Sequence, residues 1–296
     1  MNILITGANG FIGSNLVNYL STGNDIIFAQ GRDISRKFPN MRCNQMDGEF
    51  WNLNWDKIGN IDVLFHEAAI NNTLSTDEKM MFEVNVNKAI ELFKVAILHE
   101  CKKIVFASSI AVYGNSPIPM KEDCKCVPLN IYGRTKLMLE TESIKLSKRD
   151  SNVIFVGLRY SNVYGPGEEH KGRMASMVYQ LAQQMKTGSP EIYRDGMQIR
   201  DFIYIEDIMK ANVQALNSRN SCILNCGTGK GTTFNELVSY LNDMLGKSCR
   251  PIYIDPPPKY QREVVLDMCL AQRMIGFSAS ITIKQGIKKY FDSGYL

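Results

Sequence analysis

Apolar side chains along this chain alternate between two periods. The runs ILI, DVLF, IVF and VIFVGL lack polar alternation, as strands buried on both faces do. Between them lie stretches with apolar positions three and four residues apart, the helical period. The pattern predicts strands at 2–5, 26–30, 63–66, 103–107, 153–158 and 221–226. It predicts helices over 12–20, 84–99, 132–147, 174–185, 207–216 and 234–245. Strand and helix in alternation imply an α/β fold, a parallel sheet with helices on both faces. After Gly165 the rhythm changes, and the prolines at 256–258 read as a stiff extended loop. The C-terminal third is expected to form a smaller mixed α/β lobe over the carboxyl edge of the sheet, where open α/β folds bind ligands. The lobes are expected at 1–164 plus about 201–226, and at 165–200 plus about 227–296.

Composition narrows the class. A chain of 296 residues can bury a core without staples. The net charge is only +4, with no long basic block, so a nucleic-acid or membrane surface is not expected. No stretch of 18 apolar residues occurs. MNILITGANG reads as a strand entering a turn, not as a secretory signal. Eight cysteines, at 43, 101, 124, 126, 222, 226, 249 and 269, lack CxxC spacing, and the histidines at 66, 99 and 170 are scattered. Neither a zinc site nor a disulfide framework is expected, and the thiols read as reduced and cytoplasmic.

Candidate chemistry begins at the first turn. Thr6-Gly7-Ala8-Asn9-Gly10-Phe11-Ile12-Gly13 joins the first strand to the first helix. Gly7 permits a tight turn, Gly10 lets backbone approach a pyrophosphate, and Gly13 lets helix and sheet pack closely. The amides of Phe11 and Ile12 would face the phosphates at the helix N-terminus. This context predicts a Rossmann-type, doubly wound dinucleotide site. An acid usually ends the second strand of such a site and holds the ribose of NAD. Here Gln30-Gly31 stands there and Arg32 follows. A guanidinium in place of a carboxylate suits a 2′-phosphate, so NADP is expected, with NAD through Asp33 as the alternative. Asp47, after the third strand region, is a candidate partner for the adenine amino group.

Tyr132-Gly133-Arg134-Thr135-Lys136 places Tyr and Lys on one helix face. An ammonium and an oxidised nicotinamide both favour the phenolate, so the Tyr132 pKa is expected to fall. Ser109, at the end of a buried strand, can donate to the same substrate oxygen.

The glycine turn, the strand-end serine and YxxxK together resemble the extended short-chain dehydrogenase/reductase family, and the resemblance covers the whole chain. LRYSNVYGPG and RDFIYIEDI are similar to that family's entry to its substrate lobe and its later strand. The resemblance implies nucleotide-sugar chemistry, with Asn162 and Val163 at substrate and nicotinamide and Arg200 on the diphosphate. It likewise implies Ala68, Ala69 and Asn85 beside the cofactor, and a homo-oligomer built through the YxxxK helix. Ile110-Ala111 stand where dehydratases carry Asp-Glu, which argues against dehydration.

FHEAAINN (65–72) and HKGRMASM (170–177) resemble the ADP-glyceromanno-heptose 6-epimerase branch. That resemblance makes Lys171 a second acid/base opposite Tyr132. It also puts Gln180, Tyr193 and Tyr260, in the Lys259-Tyr260-Gln261 loop, at the nucleotide and sugar. The expected activity is therefore epimerisation, at C6 of an ADP-heptose-like sugar, with a 4-epimerase or an NADPH-dependent 4-keto reductase as alternatives. Arg173, Gln30-Gly31 and the proline run depart from the branch, and Arg173 would add charge beside the sugar.

Overall fold

In chain order, β1 (Asn2–Thr6) leads into α1 (Phe11–Leu20), then β2 (Ile26–Gly31), β3 (Cys43–Asp47), α2 (Trp55–Ile58) and β4 (Val63–His66). Next come α3 (Glu78–Phe82), α4 (Ala89–Leu98), β5 (Lys103–Ser109), α5 (Ile131–Arg149) and β6 (Ile154–Tyr160). Beyond lie β7 (Asn162–Tyr164), α6 (Met177–Thr187), β8 (Glu191–Tyr193), β9 (Ile199–Arg200), β10 (Phe202–Tyr204) and α7 (Ile205–Ala215). The chain ends with β11 (Cys222–Cys226), β12 (Thr232–Thr233), α8 (Phe234–Leu245), β13 (Ile252–Ile254), α9 (Cys269–Ile275) and α10 (Ile283–Asp292). This computed structural model describes residues 1–32, 38, 42–72, 76–257 and 260–296. Asp33, Pro258 and Lys259, named above as candidates, lie outside the described residues.

Seven strands form one sheet in the order β11-β6-β5-β4-β1-β2-β3, with every pairing parallel. The doubly wound expectation holds. Within β1, Ile3 and Ile5 belong to one core and Leu4 to another, because successive side chains leave a strand on opposite faces. α1 and α7 cover the first face with Leu16, Val17, Ile208 and Ala211. α4 and α5 cover the second with Leu92, Phe93, Ala96 and Leu139. Each of the larger of these side chains contributes roughly 1.5–3 kcal/mol by leaving water, and each alanine methyl less. Three two-stranded sheets, β10 with β7, β12 with β9 and β13 with β8, lie outside the main sheet.

One carboxylate ties these segments together. Asp201, wholly buried, accepts from the Thr228 amide at 2.8 Å, the Thr228 hydroxyl at 2.6 Å, the Gly229 amide at 2.9 Å and the Leu266 amide at 3.3 Å.

The short elements α2, α9 and the strands of the small sheets were not predicted, and three longer helical segments differ from the sequence expectation. The helix expected over 84–99 starts earlier, at Glu78, and passes through a π-helical turn at Glu83–Lys88 before α4. The helix expected from 174 begins at Met177, where the Ser176 hydroxyl accepts the Tyr179 amide at 3.2 Å. Residues Glu169–Met174 instead make a separate tight turn, broken at Gly172 with φ 52°. α10 was unexpected because Gly286 sits inside it, and glycine weakens a helix. Its place there is steric, since a Cβ would run into the Tyr164 hydroxyl. Among the described residues no helix is long and apolar enough to cross a membrane.

Candidate active site

The glycine turn is built by close approach. Gly7 has φ +72°, and a Cβ there would sit 2.7 Å from the Ala68 amide nitrogen. A Cβ on Gly13 would run into the Gly7 carbonyl, so the first turn of α1 lies directly against β1. Gly10 caps α1 without a side-chain acceptor, which leaves the capping of the N-terminus to a ligand or water. Uncapped amides behind a side-chain-free turn fit a pyrophosphate.

Gln30 is spent on this turn. It is 2 % exposed; its Oε1 accepts the Gly7 amide at 3.2 Å, and its Nε2 donates to the Gly48 carbonyl at 2.5 Å. Gly31 pairs with Asp47, which puts Asp47 at the carboxyl end of β3 beside the turn. Arg32 follows, exposed.

Tyr132 and Lys136 stand at the carboxyl end of β5. Asn130 caps α5 by accepting the Gly133 amide at 2.8 Å. A Cβ on Gly133 would strike the Ala111 carbonyl, so the glycine lets α5 press against the loop that follows Ser109. The Ser109 hydroxyl lies close enough to the Tyr132 phenol to favour its ionised form. Ser109 accepts the Ala111 amide at 3.1 Å, which fixes its hydroxyl. Lys136 is 1 % exposed; its Nζ donates to the Ala107 carbonyl at 2.8 Å and lies 5.7 Å from the Tyr132 ring centroid.

One turn further along α5, Glu140 accepts from Ser108 Oγ at 2.5 Å, from Arg159 Nε at 2.9 Å and from Arg159 Nη2 at 2.8 Å. This buried fork fixes α5 to the ends of β5 and β6.

The expected fall in the Tyr132 pKa does not occur in the protein alone. Burial pushes the phenol up to about 12; the Ser109 hydroxyl opposes the rise and the Glu67 carboxylate adds to it. Lys136 moves down to about 8, because burial disfavours its charge more than Glu67 and Glu140 favour it. The expectation counted on two cations: the Lys136 ammonium does not figure among the influences on Tyr132, and a cationic nicotinamide would act only in the cofactor-bound protein.

Glu67 is the carboxylate that sequence reasoning did not single out. It follows β4 directly, and burial raises it to about 7 against the Tyr160 bond and the Lys136 charge. Its Oε1 accepts the Tyr160 hydroxyl at 2.8 Å. Its Oε2 is shut off from solvent without a hydrogen-bond partner. Its signal in the sequence was faint: an acid directly after a buried strand is costly and needs a reason. Glu140 had a signal too, at i+4 from Lys136 on the same helix face.

The loop over 165–176 folds around one buried side chain. Glu168 accepts the Gly165 amide at 3.1 Å, the Ser176 hydroxyl at 2.8 Å and the Ser176 amide. Lys171 leaves this loop toward the glycine turn, with Nζ 5.2 Å from the Phe11 ring centroid. Burial lowers its pKa, and Glu168 opposes the shift. His170 and Arg173 are exposed. Gln180 donates to the Ala175 carbonyl at 2.7 Å and the Arg173 carbonyl at 3.3 Å, closing the loop's far end.

A second cluster gathers around Arg200. Its guanidinium donates to the Ile199, Arg262 and Gln261 carbonyls at 2.8, 3.0 and 2.6 Å, and lies 5.0 Å from the Tyr260 ring centroid. The Tyr193 and Tyr260 rings meet edge to face at 4.9 Å. Tyr193, Arg194, Asp195, Gln198, Tyr260 and Arg262 line a small pocket here. Asn162 and Val163 sit on β7, with the Asn162 amide 3.4 Å from the Asp201 carbonyl.

Ala68 and Ala69, half-buried, follow Glu67. Asn85 is committed within the protein. It accepts the Ile70 amide at 2.8 Å and donates to the Ile70 carbonyl at 2.9 Å and to Thr135 at 3.2 Å, so it holds the loop after β4.

Residues 3–227 match the model of the NAD dependent epimerase/dehydratase family. A putative UDP-glucose 4-epimerase of Methanocaldococcus jannaschii is 35% identical, with 97% of this chain and 96% of that protein covered. The ADP-L-glycero-D-manno-heptose-6-epimerase of Brachyspira hyodysenteriae is also 35% identical, with 99% of each covered. The solved structure of MoeE5 in complex with UDP-glucose and NAD superposes with TM-score 0.89 at 30% identity, over 99% of this chain and 98% of that one.

Proposed function

The chain belongs to the NAD dependent epimerase/dehydratase family, and we propose that it epimerises a nucleoside-diphosphate sugar, with Tyr132 and Lys171 as the two acid/bases. The observation that carries this reading is the loop folded on Glu168, which brings the Lys171 amine down to Phe11 from an element separate from α5. A simple reductase needs one proton donor, whereas inversion needs a donor for each face of the carbonyl carbon.

The bound dinucleotide would lie along Gly7, Gly10, Phe11, Ile12 and Gly13, and would accept and then return a hydrogen as hydride. Tyr132 Oη, beside Ser109, takes the hydroxyl proton at one face. After the carbonyl intermediate turns, Lys171 Nζ gives a proton at the other face. Arg200, beneath Tyr260, would turn its guanidinium to the diphosphate.

The substrate we favour is an ADP-heptose-like sugar inverted at C6, supported by the HKG sequence of the Lys171 loop and the Brachyspira relative. A 4-epimerase is the second reading, favoured by the Methanocaldococcus relative. Incubation with ADP-heptose and with UDP-hexoses, with C6 and C4 configuration followed by NMR, separates the two. Stoichiometric loss of NADPH absorbance with a keto sugar rejects both in favour of a reductase.

For the cofactor we propose NADP, because Gln30 is fully engaged by the turn and Arg32 is the exposed group that follows it. Arg32→Ala is expected to weaken NADP about tenfold or more and NAD far less, measured by titration of bound-cofactor fluorescence. Equal loss for both removes Arg32 from this role.

A further inference from the structure

We propose that Asn15 of α1 is a positioning residue: it fastens the Lys171 loop to the glycine turn and so sets where the Lys171 amine stands. This deepens the two-base reading given above and rests on it.

The loop over 165–176 is shaped from within. Besides the Glu168 bonds, the Gly167 amide donates to Glu169 Oε1 at 3.0 Å, the Lys171 amide to the Glu168 carbonyl at 2.9 Å and the Ala175 amide to the Gly172 carbonyl at 3.1 Å. Such bonds fix the form of the loop but not its place against the rest of the molecule. Side-chain bonds reach it from two other elements. On α10 the Tyr290 hydroxyl donates to Glu169 Oε1 at 3.4 Å. On α1 the Nδ2 of half-buried Asn15 donates twice, to the Phe11 carbonyl at 2.9 Å and, across 151 residues of chain, to the Pro166 carbonyl at 3.0 Å. An asparagine amide carries two N–H donors, and here each serves one carbonyl.

A polar side chain on a helix commonly bonds the carbonyl four residues back and does nothing more. The Pro166 bond sets Asn15 apart, because it closes a circuit. The circuit runs from the Phe11 carbonyl through Asn15 to Pro166, then five residues along the loop to Lys171, whose Nζ returns to 5.2 Å from the Phe11 ring centroid. Phe11 opens α1 at the glycine turn. The clasp therefore places the second acid/base relative to the dinucleotide's own turn, not relative to the cluster around Arg200. A proton donor must come within about 3 Å of the oxygen it serves, and a displacement of about 1 Å can cost ~10² in rate.

Asn15→Leu keeps the branched shape and removes both donors. The first readout needs no turnover. Protons over an aromatic face resonate upfield, so in full-length ¹³C-lysine protein the Lys171 Cε protons, assigned as those missing from Lys171→Met, are expected upfield of their random-coil position. They should move back toward that position in Phe11→Leu and in Asn15→Leu. The second readout is turnover at saturating dinucleotide, where Asn15→Leu should lower kcat about tenfold or more and change the sugar KM less than about twofold. Lys171 protons that are not upfield in wild type, or that stay upfield in Asn15→Leu, overturn the proposal. A lowered urea midpoint with unchanged kcat would mean a merely structural bond and overturns it too. A loss confined to dinucleotide affinity assigns Asn15 to the cofactor and does the same. If Asn15→Leu does not fold, Asn15→Ala is read in the same two ways. Upfield Lys171 protons that move in Asn15→Leu, in a protein that turns over no sugar, defeat the functional reading and leave the clasp standing.

Discussion

Lys171 and Tyr132 differ in how their chemistry is prepared, and variants should separate them. Tyr132 is buried beside Ser109; Lys171 is held by its loop and the Phe11 face. Tyr132→Phe and Lys171→Met are each expected to lower kcat by ~10²–10⁴ while cofactor stays bound, read from steady-state rates and bound-cofactor fluorescence. Near-wild-type turnover in Lys171→Met would end the two-base reading. Two adjacent residues also predict an unusual acid response. His66 is buried neutral, its Nδ1 2.8 Å from Thr6 Oγ1, with its pKa lowered to about 3. The unfolded chain therefore binds the extra proton, and stability is lost as pH falls from about 6.5 toward 3. Glu67 works the other way. Its pKa is raised to about 7, so its contribution is present at low pH and is lost as pH rises from 4.5 through 7. Between pH 7 and 5 the two oppose each other. The urea midpoint of His66→Asn should rise over that interval, and that of Glu67→Gln should fall. Midpoints that move together would refute the pairing. The sequence showed Tyr132, Lys136 and Ser109 because spacing encodes them. Glu67 left only a faint signal there, because its partners come from α5, β6 and β11 and only the sheet order assembles them.

At the scale of elements, α5 carries Tyr132 and Lys136, and its position depends on one fork. Glu140 and Arg159 are 4 % and 5 % exposed and answer each other through two bonds, with Ser108 as a third partner. Removing one member leaves a buried charge unpaired, which costs about 3–5 kcal/mol. Arg159→Met should lose stability on that scale in urea, and should lower kcat more than KM, since Ser108 precedes Ser109 and the helix bearing Tyr132 loses its anchor. An unchanged kcat in folded protein would show that the fork holds the fold and not the site. Six of the seven main-sheet strands and most of the long helices were legible because the apolar period reports burial directly. α10 was missed although its own sequence marks it: Thr282 and Gln285 form a capping box at its start, and Ile283, Ile287 and Tyr290 share one face, with only Gly286 against it. The π-helical turn at Glu83–Lys88 was hidden, as Asn85 within it is tied to Ile70 and Thr135, contacts that local propensity cannot carry.

For the whole molecule, a parallel sheet with helices on both faces was foreseeable from the alternation of strand and helix. The seam between the main sheet and the later segments was not. Asp201 joins to partners 27 and 65 residues away along the chain. Contacts this distant form only after the intervening segments have taken their places. The carboxylate should therefore be unbonded at the folding barrier and bonded only beyond it. Asp201→Asn is then expected to speed unfolding while leaving the folding rate nearly unchanged, seen as a shift of one arm of the denaturant chevron. A slowed folding arm would mean that the seam forms early. If the expectation holds, this single side chain acts as a latch in time: it sets how long the assembled enzyme survives between openings rather than how quickly it assembles.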